Sequence, residues 1–267
     1  MNEWLLLIIF LVSGLLLGVI FIHAKSLVQF INELEDEDTA CGSCKDKKTC
    51  LAMRPIGKSN WVTEFTYTSY LIVRKKCMYV MKKKKAYMLI LAILNGILYA
   101  GLAWVYGWTM ETILFCLCTT ALIYIGYVDW NTQYIPFEFN IFIFLLGLIR
   151  LFLTPEYWLE RLIGLIAVSV FLLLVNWVGS KILHRDGVIG GGDIKLMAAA
   201  GLLLGWKLNI VAFMMGCIGG SIIHLIIMKI GKGERQLAFG PYLAMGIYIA
   251  MICGEQLMSW YLGIMGL

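Results

Sequence analysis

Residues 88–110 read MLILAILNGILYAGLAWVYGWTM, twenty-three positions without a charge. Glu111 interrupts the run, and Thr112–Val128 then continues uncharged. A helix needs about 20 apolar residues to cross the roughly 30 Å hydrocarbon core of a bilayer. Inside lipid the backbone must satisfy its own hydrogen bonds, which a helix does. The stretch therefore predicts a pair of membrane-crossing helices joined near Glu111.

The pattern repeats on both sides. Trp4–Ile22 is uncharged, lacks a basic leader region and a small-residue cleavage site, and is followed by Lys25, so it reads as a retained span. After the first pair come Phe139–Thr154 (carrying Arg150), Leu162–Ser180, Leu196–Trp206, Leu208–Met228 and Leu237–Gly254. That makes eight expected spans, of which the sixth is too short to cross without the residues before it. Gln256–Leu267, with Trp260 and Tyr261, is expected at the interface. Composition agrees: of 267 residues, 61% are hydrophobic and 15% charged, with a mean hydropathy of +0.83. Soluble domains are about 45–50% apolar and about 25% charged, so a soluble or disordered chain is excluded. The expected fold is all-α, a polytopic membrane protein of about eight transmembrane helices.

Basic residues orient it. Thirteen of the 22 lie between Lys25 and Lys85, and Lys181, Arg185, Lys195, Lys229, Lys232 and Arg235 fall on the same side if there are eight spans. Only Arg150, Arg161 and Lys207 fall opposite. The positive-inside rule then makes the 25–87 segment a cytoplasmic loop domain, with both termini external. The run Lys82–Lys85 suits anionic membrane lipid, and no nucleic-acid module accompanies it.

Charge at membrane depth is costly and usually marks function. Asp129 closes the third span in Tyr127-Val128-Asp129-Trp130, shortly before Ile135-Pro136, and Asp193 opens the sixth after Gly190-Gly191-Gly192. The expected topology brings both to the cytoplasmic face. Two carboxyls that share a proton are what aspartyl hydrolysis needs, one charged to activate water and one neutral to polarise the carbonyl. Glycines at 190–192 would admit torsions closed to other residues and expose backbone for an extended substrate. The bland reading of Asp193 is a helix cap. A rival functional reading is a proton- or cation-coupled transporter that uses the same two acids.

Gly190-Gly191-Gly192-Asp193-Ile194-Lys195-Leu196 resembles the GxGD-x-K-[LM] signature of type IV prepilin peptidases. Asp129 with Ile135-Pro136 resembles that family's first catalytic aspartate and following Ile-Pro, and Phe239-Gly240-Pro241-Tyr242 its late F-G-P-[FY] segment. The resemblance covers roughly Leu89 to Gly254. It implies an aspartyl endopeptidase that removes the leader of prepilins or pseudopilins at the cytoplasmic face of the bacterial inner membrane. Asp129 and Asp193 would be catalytic, no metal or cofactor would serve proteolysis, and Gly190, Gly191, Gly192, Lys195, Pro136, Gly240 and Pro241 would line the substrate's path. Residues 1–24 would be a first helix, 25–87 the loop domain and 88–267 a seven-helix peptidase core. Many such enzymes also N-methylate the new N-terminus with S-adenosylmethionine. Here the first span reads Gly14-Leu15-Leu16-Leu17-Gly18-Val19, without the Ser and Asn of the family's pattern, and the loop has one Cys-x-x-Cys pair where two are usual.

Cys41, Cys44, Cys50 and Cys77 of that loop could supply four thiolates to a structural zinc, or stay free in a reducing cytosol. Cys116, Cys118, Cys217 and Cys253 fall in apolar spans and read as packing residues.

Overall fold

The computed structural model describes residues 4–19, 78–183, 189–230 and 238–266, and every regular element among them is helical. The helices are α1 (Trp4–Val19), α2 (Met78–Tyr106), α3 (Met110–Thr132), α4 (Phe137–Leu153), α5 (Trp158–Leu183), α6 (Gly191–Leu204), α7 (Trp206–Ile230) and α8 (Gly240–Met265). Each expected apolar stretch lies largely within one of them. Five of the eight, α2, α3, α5, α7 and α8, are long and apolar enough to cross a bilayer; α1, α4 and α6 are shorter.

Local sequence sets the helix ends. Thr109 caps α3, its hydroxyl accepting from the Thr112 N–H at 3.2 Å, and Glu111 sits in the positive first turn. Gln133 ends α3 in the left-handed region (φ 55°), and its N–H donates to the Asp129 carbonyl at 2.8 Å. Pro136 then starts α4, and Pro241 occupies the first turn of α8, where a missing N–H costs nothing. The last helix extends past Gly254, the expected end of the apolar span; Gly254 makes room for the Leu208 side chain, and α8 continues until Gly266 turns left-handed (φ 72°). Gln256–Met265 are thus the last turns of α8.

Helix α6 is the centre of the bundle. It packs against α4, α5, α7 and α8, and ten of its fourteen residues are buried. A helix apolar all round belongs inside a protein. At 1.5 Å per residue it is about 21 Å long, short of the roughly 30 Å hydrocarbon core. Its close contact with α5 depends on two glycines. A Cβ on Gly201 would overlap the Gly164 carbonyl, and one on Gly164 the Gly201 carbonyl. Asn209 of α7 covers this contact, donating to the carbonyls of Gly164 (3.0 Å) and Met197 (3.1 Å). Helix α1 docks on α2 in the same way, with Gly14 against Tyr99 and the Asn95 amide donating to the Gly14 carbonyl at 2.8 Å.

The two ends of the bundle hold different sets of charged groups. One gathers the end of α3 and the starts of α4, α6 and α8. Lys181, Lys195 and Lys229 are on that side. At the other end Arg150 pairs with Glu111 (2.8 Å) and donates to the Leu203 carbonyl (2.7 Å), and Lys207 pairs with Glu160 (3.1 Å). Arg161, buried there, donates to the Thr154 hydroxyl.

Gly201→Ala should cost about 1–3 kcal/mol through overpacking and lower the thermal midpoint of the purified protein in detergent. Gly263→Ala, where an added methyl meets nothing within 4 Å, should leave it unchanged.

Candidate active site

The last turn of α3 carries Asp129, 5% exposed. One turn earlier, on the same helix face, Gly126 adjoins the start of α8, where a Cβ would make an ordinary 3.5 Å contact with the Pro241 Cα. That approach brings the Gly240 N–H to the Asp129 carboxyl, where it donates to Oδ2 at 2.8 Å. The first N–H groups of a helix have no partner within it, so α8 supplies this donor without losing a helical bond. A Cβ on Gly240 would lie 2.7 Å from the same oxygen. The Phe239-Gly240-Pro241 sequence is explained by this geometry.

Asp193 sits in the first turn of α6, 8% exposed. It does not cap the helix. Gly190 holds the N-cap position with an extended backbone (φ −60°, ψ 129°), no side chain makes a cap bond, and the Asp193 N–H donates to the Gly190 carbonyl at 3.1 Å. Asp193 Oδ1 is enclosed and has no hydrogen-bond partner among the described residues. Asp193 precedes the apolar stretch from Leu196 onward and lies outside the five long spans. Burial first, and then the negative charge of nearby Asp129, push its carboxyl up to about 7.

The connection between α3 and α4, and α4 itself, lie against the start of α6. Ile135, 6% exposed, stands where a Cβ on Gly192 would be, 2.9 Å from its own Cβ, and the Asn140 amide donates to the Gly192 carbonyl at 3.5 Å. The ends of α3 and the starts of α4, α6 and α8 therefore meet around Asp129 and Asp193. One carboxyl receives a backbone donor; the other has an oxygen with none. The two carboxyls are near enough for the charge of Asp129 to raise that of Asp193.

Residues 116–225, a stretch that includes both acids, match the model of the type IV leader peptidase family. The chain is 31% identical over 199 residues to a Neisseria gonorrhoeae protein named prepilin leader peptidase/N-methyltransferase, a match covering 73% of the chain and 68% of that relative. The chain belongs to the type IV leader peptidase family. A Legionella pneumophila relative of the same name is 31% identical over 173 residues, covering 62% of the chain and 58% of its own length. A Bacillus subtilis one is 25% identical over 260 residues, 96% and 98% of the two chains. No solved structure matches the chain. Membership makes it an enzyme, a peptidase, and with its five long apolar helices a multi-pass membrane protein.

Within this leader peptidase the other expected site residues divide. Pro136 is half-buried at the start of α4, and Gly240 and Pro241 adjoin Asp129. The three glycines do not act alike. None has a left-handed φ, and Gly191 and Gly192 already belong to α6, so the extended exposed backbone is confined to Gly190. Gly190 and Gly192 matter for their missing Cβ atoms, at Asp193 Oδ2 (2.9 Å) and Ile135 respectively, whereas Gly191 faces open space. Lys195 is exposed and lies over the Phe137 ring, 4.8 Å from its centroid. The expected zinc ligands Cys41, Cys44, Cys50 and Cys77 lie outside the described residues. Asn140 was not anticipated; the signal available was a lone amide in the apolar run Phe139–Ile149.

Gly240→Ala should displace the Asp129 carboxyl and remove its backbone donor. Membrane insertion should be retained while the rate of leader cleavage, followed by the gel shift of a prepilin, falls about tenfold or more.

Proposed function

We propose that the chain is an aspartyl prepilin leader peptidase, with Asp129 and Asp193 as its catalytic pair. The observation that carries this reading is the meeting of two buried carboxyls at one end of the bundle, unequal in their donors. In the proposed reaction Asp129, held by the Gly240 N–H, is the carboxylate and takes a proton from water. Asp193, the protonated member below about pH 7, polarises the scissile carbonyl and then protonates the leaving amine. Gly190, Gly192, Lys195, Pro136, Gly240 and Pro241 border the path along which an extended leader junction would lie.

The proposal includes eight crossings, with the first helix (1–24) and the seven-helix core (88–267) in the bacterial inner membrane, both termini external and the acids at the cytoplasmic rim. Nineteen basic residues against three support that orientation, and so does the segregation of Arg150, Arg161 and Lys207 at the end opposite the acids. The short α6, as the sixth crossing, would recess Asp193 from the surface. Substrates would be prepilins or pseudopilins, whose apolar mature helix can arrive from the lipid. Methylation of the new N-terminus with S-adenosylmethionine belongs to the proposal only as a second activity, since the relatives' names include it while the first helix departs from the family's usual sequence.

Asp129→Asn and Asp193→Asn should each insert and fold yet cleave a co-expressed prepilin about a thousandfold more slowly or worse; full processing by either would remove that residue from the pair. Cleavage by the unaltered enzyme should fall as pH rises through about 7, because Asp193 then loses the proton it must deliver. For the loop domain (25–87), the proposed zinc predicts one metal per chain by mass spectrometry, lost together with thermal stability in Cys41→Ser.

A further inference from the structure

Asn140 is a buried polar group at the site that two-carboxyl chemistry leaves unused. It is the fourth residue of α4 and 4% exposed, with Phe139 and Ile143 as buried neighbours on the same helix. Its Nδ2 donates to the Gly192 carbonyl. A carbonyl oxygen only accepts, so this contact decides which end of the amide faces Gly192. The other end, Oδ1, is enclosed and has no hydrogen-bond partner among the described residues. Asp193 Oδ1, on the next residue after Gly192, is in the same condition. Native folds rarely leave buried acceptors without donors. Here two flank one short stretch of backbone, at Gly192 and Asp193.

An extended peptide brings backbone N–H donors at regular intervals, whatever its side chains. We propose that Asn140 is a substrate-binding residue: its Oδ1 accepts a backbone N–H of the prepilin segment beside the scissile bond, while its Nδ2 keeps the Gly192 carbonyl in place. The inference rests on the leader-peptidase reading. It predicts recognition of the cleavage region through backbone, independent of the side chain at the contacted position.

The test uses the full chain in lipid nanodiscs and a synthetic prepilin peptide. In a companion peptide series, one N–H near the cleavage site at a time is replaced by an ester oxygen, sparing the scissile bond. Wild type, Asn140→Leu, Asn140→Thr and Asp129→Asn are compared by kcat and KM, with thermal midpoints as the folding control. Asn140→Leu should lose about 10–100-fold in kcat/KM, the usual penalty for a lost specific polar contact. Asn140→Thr, which still offers an acceptor, should lose less. One ester position should cost the wild type about tenfold and cost Asn140→Leu nothing further. Equal kcat/KM for wild type and Asn140→Leu, or an ester series in which no position separates the two, overturns the proposal. Should the Leu variant fail to fold, Asn140→Ala replaces it, and a wild-type enzyme indifferent to every ester overturns the proposal unaided. Asp129→Asn cleaving at the wild-type rate would instead sink the leader-peptidase reading, a separate failure.

Discussion

The hydrogen bond from the Gly240 N–H to Asp129 Oδ2 is the contact on which the site depends. A carboxyl in an apolar bundle must find donors or lose its charge. In this protein the donor is a helix N-terminus, whose free N–H groups and dipole both favour a negative group. The bond forms where α8 starts against α3, and it needs Gly240 to carry no Cβ. Residues of two helices are thus fixed by one 2.8 Å contact.

The second acid is placed by a different constraint. Helix α6 must be narrow to sit among four neighbours, and Gly201 against Gly164 brings it closer to α5 than any side chain would allow. It must also be short, because its first turn is polar and its other end, the Leu203 carbonyl, is held by Arg150 at the opposite end of the bundle. Close packing in the middle therefore determines where Asp193 stands relative to Asp129. Ile135 seated on Gly192 couples that position to the loop after α3, so the two acids are held by one connected set of contacts.

Much of this was legible in the sequence, for identifiable reasons. Uncharged runs of helical length announce helices because lipid and protein interiors both reject unpaired charge, and each of those runs proved helical over most of its length. Asp129 and Asp193 were legible because an acid bordering such a run needs an explanation. The run Leu237–Gly254 marks the apolar part of α8 and not its end, because Glu255 closes the uncharged stretch while the helix runs on to Met265. The glycine run was half understood. Its value is the absence of Cβ atoms at Gly190 and Gly192, which depends on Ile135, remote in sequence, and on Asp193 itself, not on unusual torsions. Asn140 escaped for the converse reason: an amide near a helix start has many ordinary explanations, and its importance appears only when its oxygen is found without a donor.

The inequality of the acids follows from where each lies on its helix. Asp129 is near the end of α3, where its own helix has no free N–H to offer and the donor must come from another, which α8 supplies. Asp193 is in a first turn with free N–H groups close by, yet its carboxyl makes no cap bond and leaves Oδ1 without a partner. A first-turn acid that turned back onto those groups would be stabilised as an anion. Enclosed and near the charge of Asp129, it is instead raised toward the neutral form. In the proposed reaction that form is the proton donor, and it goes with a first turn of α6 that has no side-chain cap.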